Sequence, residues 1–131
     1  MPMSDYLENK ILNHIFRGSA STAPDAVYVA LYTNDPTDAD VGTEVTGGAY
    51  ARQTATFSAP TQVGGKATIQ NTADVTFPLA TANWGTVTHV GLRDAATGGN
   101  MLYYGPLANE KTISTNDRFK FFAGDLKLDI D

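Results

Sequence analysis

The sequence predicts a mainly β domain, an antiparallel β-sandwich or partly open barrel carrying one N-terminal α-helix. Three observations lead there. Apolar residues recur at helical spacing only before Gly18, the period changes to two from Ala26 onward, and the later apolar runs are short and broken by Gly- and Asn-rich turns. A chain of 131 residues supports one hydrophobic core, so residues 1–131 are expected to form a single domain.

The helix comes first. Ser4 or Asp5 can cap it, Glu8 stands three residues after Asp5 in capping-box position, and Gly18 follows Arg17 where a helix would end. Leu7, Ile11, Leu12, Ile15 and Phe16 keep one face apolar, which predicts a helix over about 5–17 with that face buried. Residues 19–24 form a small-residue connector that Pro24 closes.

From Val27 the chain alternates. Val27, Val29 and Leu31 fall on one face of a strand, Tyr28, Ala30 and Tyr32 on the other, so this strand should be central and covered on both sides. Residues 33–48 hold Asn34, Asp35, Pro36, Asp38, Asp40, Gly42, Gly47 and Gly48, the composition of a long exposed loop. Further strands are predicted at 50–57, 66–71, 74–77, 86–93, 101–105, 118–123 and 125–130. The 63–65, 96–100 and 114–117 segments supply turns, and 94–100 reads as a hairpin loop. The chain shows no repeat of the kind that builds solenoids or fibre shafts.

The apolar share of 42% and charged share of 18% describe a folding chain. Fourteen acidic and nine basic residues give a net charge of −5, which argues against direct nucleic-acid binding. No signal peptide or membrane-spanning run is present. Without cysteine there is no thiolate chemistry, disulfide or cysteine zinc site.

The remaining chemistry-bearing residues point to structure. His14 lies beside the apolar stripe and His89 in a strand, and no serine occupies a nucleophile-elbow context, so both histidines are read as hydrogen-bonded or interface residues. Asp35, Asp38, Asp40 and Glu44 could offer oxygen ligands to Ca²⁺, but they lack the EF-hand order and are read as solvated loop acids. Asp125, Asp129 and Asp131 alternate with Leu126, Leu128 and Ile130 on one solvent face, which does not make a glycosidase pair. No cofactor, metal or catalytic residue is expected. Tyr103 and Tyr104 must point to opposite faces, as must Phe121 and Phe122. The aromatics that leave the main core are covered by a second sheet or the helix, or they form a subunit interface; a sugar-stacking platform on Trp84 or Tyr103 is a third reading.

The strings from Tyr6 to Gly18, Val27 to Thr33, Gly47 to Gln53, Ala73 to Pro78, Asn83 to His89 and Asp94 to Asn100 together resemble a widespread group of small tailed-phage virion proteins. Members are commonly labelled phage tail-fibre or fibre-like proteins. The resemblance implies a non-enzymatic component of the phage virion, assembled in the bacterial host cytoplasm. Its implied partners are other virion proteins of capsid or tail.

A compact β-module showing neither a shaft repeat nor a separate anchor fits a capsid decoration, or cement, protein on the capsid lattice. A tail, neck or fibre-associated structural protein and a host-glycan-binding module are the alternatives. A homo-oligomer is expected, without nucleic acid or membrane. Contact residues are expected in residues 1–4 with the helix, where Tyr6 and Lys10 lie, in the acidic loop at Asp35, Asp38, Asp40 and Glu44, and at Tyr103 and Tyr104.

Overall fold

The computed structural model describes residues 1–130. Asp131, the third of the alternating acids, lies outside them. Helix α1 (Asp5–Ile11) runs into a π-helical stretch (Leu12–Phe16). The strands that follow are β1 (Val27–Tyr32), β2 (Gln53–Ala55), β3 (Thr61–Val63), β4 (Lys66–Gln70), β5 (Val75–Thr76), β6 (Gly85–Arg93), β7 (Met101–Ile113), β8 (Lys120–Phe121) and β9 (Lys127–Ile130).

The alternating pattern of β1 fixes its place. It lies between β2 and β6 in a four-stranded antiparallel sheet of order β2-β1-β6-β7, and its last four residues are all buried, so both faces are covered as the sequence predicts. Two smaller antiparallel sheets, β3-β4-β9 and β5-β8, complete the β structure among the described residues, and none closes into a barrel. Val29, Leu31, Val90, Leu92 and Tyr103 of the large sheet pack with Val75, Phe121 and Leu128 of the smaller ones, and with Phe77, Phe119 and Leu126 just outside those strands, in one apolar core. Phe119 stands edge-on to Phe121 with ring centres 5.0 Å apart, an arrangement aromatic quadrupoles favour.

The opposite face of the large sheet buries Ala30, Tyr32 and Met101, with Tyr104 packed against them. Gly91 makes room for this layer, since a Cβ there would sit 2.7 Å from the Tyr32 ring. The 33–48 loop folds over the layer. Pro36 is buried there while Val45 enters the main core, Val45 N–H donates to the Leu31 carbonyl at 2.9 Å, and Thr33 N–H donates to Thr43 O at 3.0 Å. A loop expected to be exposed is therefore partly a cover, because the second apolar face of β1 requires one.

Residues 1–4 run along the outer edge of β7. Ser4 N–H donates to Leu102 O at 2.9 Å, Tyr104 N–H donates to Pro2 O at 3.2 Å, and Met3 bridges Tyr103. This covers part of an edge strand that would otherwise present unpaired backbone groups.

Four strand expectations change. The 50–57 strand contracts to Gln53–Ala55, because Tyr50 N–H turns back onto Gly47 O and Phe57 makes only an isolated bridge to Asn71. The 101–105 strand continues to Ile113 through Pro106, which lies opposite His89 where the β6–β7 ladder shifts register. A residue without an N–H is tolerated at such an irregularity. The 118–123 strand contracts to Lys120–Phe121 because the Asp125 carboxylate accepts from Phe122 N–H at 2.8 Å and draws the chain into a turn. Thr61–Val63 is a strand the sequence did not suggest, joined to β4 by Gly64 and Gly65 with φ of 59° and 82°. Buried Asn71 ties these parts together: its amide donates to Ala73 O and Phe122 O and accepts from Leu126 N–H.

The helix departs furthest from expectation. It spans the predicted residues, but only Leu7 packs against the core, and α1 meets β7. Leu12, Ile15 and Phe16 remain 55%, 63% and 76% exposed. The predicted burial of the whole apolar face is overturned because no element of the described chain covers the helix's C-terminal half.

Candidate interaction surface

Two arginines organise the surface around the loops. Arg52 points its guanidinium at Glu44, with Nε 2.8 Å from Oε2 and Nη2 2.7 Å from Oε1, a bidentate pair. Its Nη1 donates to Ala95 O and Gly98 O at 2.8 and 2.9 Å. Arg93 forms a second bidentate pair with Asp40, at 2.7 and 2.9 Å, and also donates to the Tyr32 hydroxyl and to Gly99 O. The two residues clamp the 33–48 and 94–100 loops onto the sheet. Neither stood out in the sequence, where the only signal is an arginine at the end of β6 and another two residues after Tyr50.

These contacts set the local electrostatics. Burial pushes the Glu44 carboxyl up, but hydrogen bonds from Arg52 and from Tyr50, whose hydroxyl lies 2.6 Å away, outweigh it and hold it below the usual carboxylate range. Burial first, and the Glu44 carboxylate second, push the Tyr50 phenol up. The Tyr104 hydroxyl donates to Asp38 and is pushed up to about 12, chiefly by that bond.

The predicted contact residues separate into two groups. Asp40 and Glu44 are held by Arg93 and Arg52, and Tyr103 turns into the core with its hydroxyl on Asp129 O at 3.2 Å. Trp84 is likewise buried, its Nε1–H donating to Gly48 O at 2.9 Å. A sugar-stacking platform on Trp84 or Tyr103 is overturned, since neither ring offers an open face. Tyr6, Lys10, Asp35 and Asp38 lie towards the surface, with Lys10 Nζ 5.6 Å from the Tyr6 ring centre. Phe122 is exposed under Lys120 Nζ, 4.8 Å from its ring centre, while Phe119 and Phe121 face the core, the opposite orientations expected of neighbouring strand residues.

The histidines are hydrogen-bonded. His14 Nδ1 lies 2.9 Å from Ser19 O, and His89 Nδ1 lies 2.8 Å from Thr88 Oγ1. Asp35 approaches His89 Nε2 only to 3.9 Å, beyond hydrogen-bond reach. The loop acids do not converge on one point: Asp38 instead joins Asp5 and Glu8, their carboxylate oxygens within 4.8 Å of one another in an exposed cluster.

What the surface does offer is apolar. Leu12, Ile15 and Phe16 form a stripe at the end of the helix, and an amphipathic stripe left open is the signature of a packing surface. A family model described as podophage GP4 fiber I protein gp80 matches residues 2–129. The chain belongs to this family. The gp80 family is one of structural phage fibre proteins, so the chain is a structural protein of that kind, associated with the virion. No curated protein matches the chain. Among the described residues, no helix is long and apolar enough to cross a membrane.

Proposed function

We propose that this member of the gp80 family is a structural subunit of the fibre apparatus of a tailed-phage particle, one module that works by packing against other virion proteins. The family match over residues 2–129 carries the reading, and the uncovered helical stripe supports protein contact as the mode of action. Many modest interfaces on one particle act together, so avidity exceeds any single contact.

Capsid decoration is the second reading, favoured by the compact sandwich and by a sequence without shaft repeats. Copy number separates the two. Quantitative mass spectrometry of purified virions should give a small symmetric number, about three to twelve copies. Hundreds of copies would establish decoration and end the fibre reading.

The contact surface we propose comprises the outward residues Tyr6, Lys10, Asp35 and Asp38. Reversing charge at Asp35 and Asp38 should lower occupancy on the particle several-fold, measured by the same mass spectrometry. Unchanged occupancy would remove the loop from the surface.

A further inference from the structure

Strand β7 is the outer strand of the large sheet, and only part of its free edge is covered. Residues 2–4 lie along it as an added antiparallel strand, with Met3 opposite Tyr103. That cover stops at Met1, whose side chain reaches Gly105: a Cβ there would sit 3.1 Å from Met1 Cγ. Among the described residues, no backbone bond from any segment but β6 reaches β7 between Gly105 and Thr112. The β6 ladder also lapses there, since Pro106 stands opposite His89 and Lys111 opposite Val87, which leaves residues 107–110 facing Thr88 alone. An edge left open in this way presents backbone donors and acceptors to a strand that can reach it.

A groove of about 320 Å³ runs on from the point where residues 1–4 end. The second half of β7 forms one wall and β8 the other, and β8 pairs with β5 on one side only. Val90, Phe121 and Leu126 of the core make its floor, with Met1 and Leu107 at the sides. Its free charges are cationic. Lys111 and the Met1 α-ammonium have no ion pair among the described residues, whereas the Asp125 carboxylate is taken by Phe122 N–H and Lys120 by Asp74. Glu110 does not line the groove.

We propose that this groove receives an extended, acidic segment of a different virion protein, which adds to β7 as the continuation of the strand that residues 2–4 begin. Those residues set its direction, antiparallel to β7. They also set its alternation. Met1 and Met3 both pack against the core, so a continuing strand points the second and fourth residues before Met1 into the groove and the others to solvent. Backbone bonds to residues 107–111 hold the segment, and its inward apolar side chains fix the register. Its carboxylates meet Lys111 and the Met1 α-ammonium, which repel a basic segment. That the segment comes from another virion protein rests on the packing role proposed above; that the groove takes a strand does not.

The chain's own N-terminus supplies the first test, because it already ends at the groove. Asp-Val-Asp-Val-Asp fused directly before Met1 turns both valines inward, and the tether holds the strand at an effective concentration on the order of millimolar. Amide exchange at residues 107–110 should slow about tenfold, and the melting temperature should rise by about 3 °C. Val-Asp-Val-Asp-Val, the same alternation slipped by one residue, turns its valines to solvent and should do neither. Lys-Val-Lys-Val-Lys should protect those amides less than the acidic fusion does. No protection by the acidic fusion, or equal protection by the slipped control, would overturn the strand site whatever the particle contains. Equal protection by the basic fusion would overturn the choice of an acidic segment. In assembled virions, a photo-crosslinking amino acid at exposed Ala108 should link the chain to another virion protein. Mass spectrometry should place that link in an acidic segment with alternating apolar residues. Links only to further copies of this chain, or no link, would overturn the partner even where the fusion result holds.

Discussion

Arg52 directs four hydrogen bonds at acceptors from two loops, and its side chain is only 7% exposed. Arg52→Met should remove the only cation bonded to Glu44 and leave that half-buried carboxylate with the Tyr50 hydroxyl alone. The expected loss is about 3 kcal/mol, the scale for breaking one partner out of a buried pair, read as a shift in the midpoint of urea unfolding. Arg52→Lys should recover less than half of this, because one ammonium cannot reproduce a bidentate fork and also reach two carbonyls. The residue types of this cluster were visible in the sequence, but their pairing was not. Glu44 lies 8 residues from Arg52 and Asp40 lies 53 from Arg93, and neither spacing has meaning until the sheet brings the strands together. Loop acids and strand-end cations look solvated until an uncovered apolar face, here Ala30 and Tyr32, pulls the loop down over it.

At the scale of elements, local chemistry was readable wherever it acted locally. Ser4 is the N-cap: its Oγ accepts from Leu7 N–H at 3.2 Å and its hydroxyl donates to the Met101 carbonyl. Because Ser4 is buried and also joins residues 1–4 to β7, Ser4→Ala should cost about 1–2 kcal/mol, more than a solvent-exposed cap. Chemical denaturation measures the loss, and Ser4→Thr should restore much of the cap. The 94–100 hairpin is equally local, with Asp94 N–H on Asn100 O at 3.1 Å and the Asp94 carboxylate accepting from Asn100. The shift into π-helical register at Leu12 was not readable, since the apolar spacing suits either register. The exposure of Leu12, Ile15 and Phe16 was not readable either. Periodicity reports that a face is apolar and not what covers it.

For the molecule as a whole, alternation predicted a sandwich because burial imposes its period on every covered strand. The β6–β7 hairpin was readable, but the rest of the order β2-β1-β6-β7 remained hidden because the pairings of β1 with β2 and with β6 join strands far apart in the chain. That assembly has a consequence for stability against pH. The Glu44, Asp74 and Asp94 carboxyls are all held below their ordinary values, Glu44 and Asp94 against the opposing effect of burial and Asp74 by the Ala123 N–H and Lys120. A carboxyl depressed by folding contributes stability that is present above its unfolded value, near 4.5 for Glu44, and is lost as pH falls through the folded value. On the alkaline side, burial raises the Tyr32, Tyr50 and Tyr103 phenols and the Asp38 contact raises Tyr104. Their contribution is complete below the unfolded value of 10.0 and declines as pH rises beyond it, because the unfolded chain then releases those protons first. Melting temperature against pH should therefore form a plateau that falls below about 4.5 and above about 10. Tyr50→Phe removes one raised phenol and one hydrogen bond to Glu44, so it should soften both limbs at once. A Tyr50→Phe profile that moved down uniformly, with both limbs unchanged in slope, would show that the hydroxyl acts only through the pH-independent bond it accepts from Leu31 N–H and does not couple Glu44 to the proton balance.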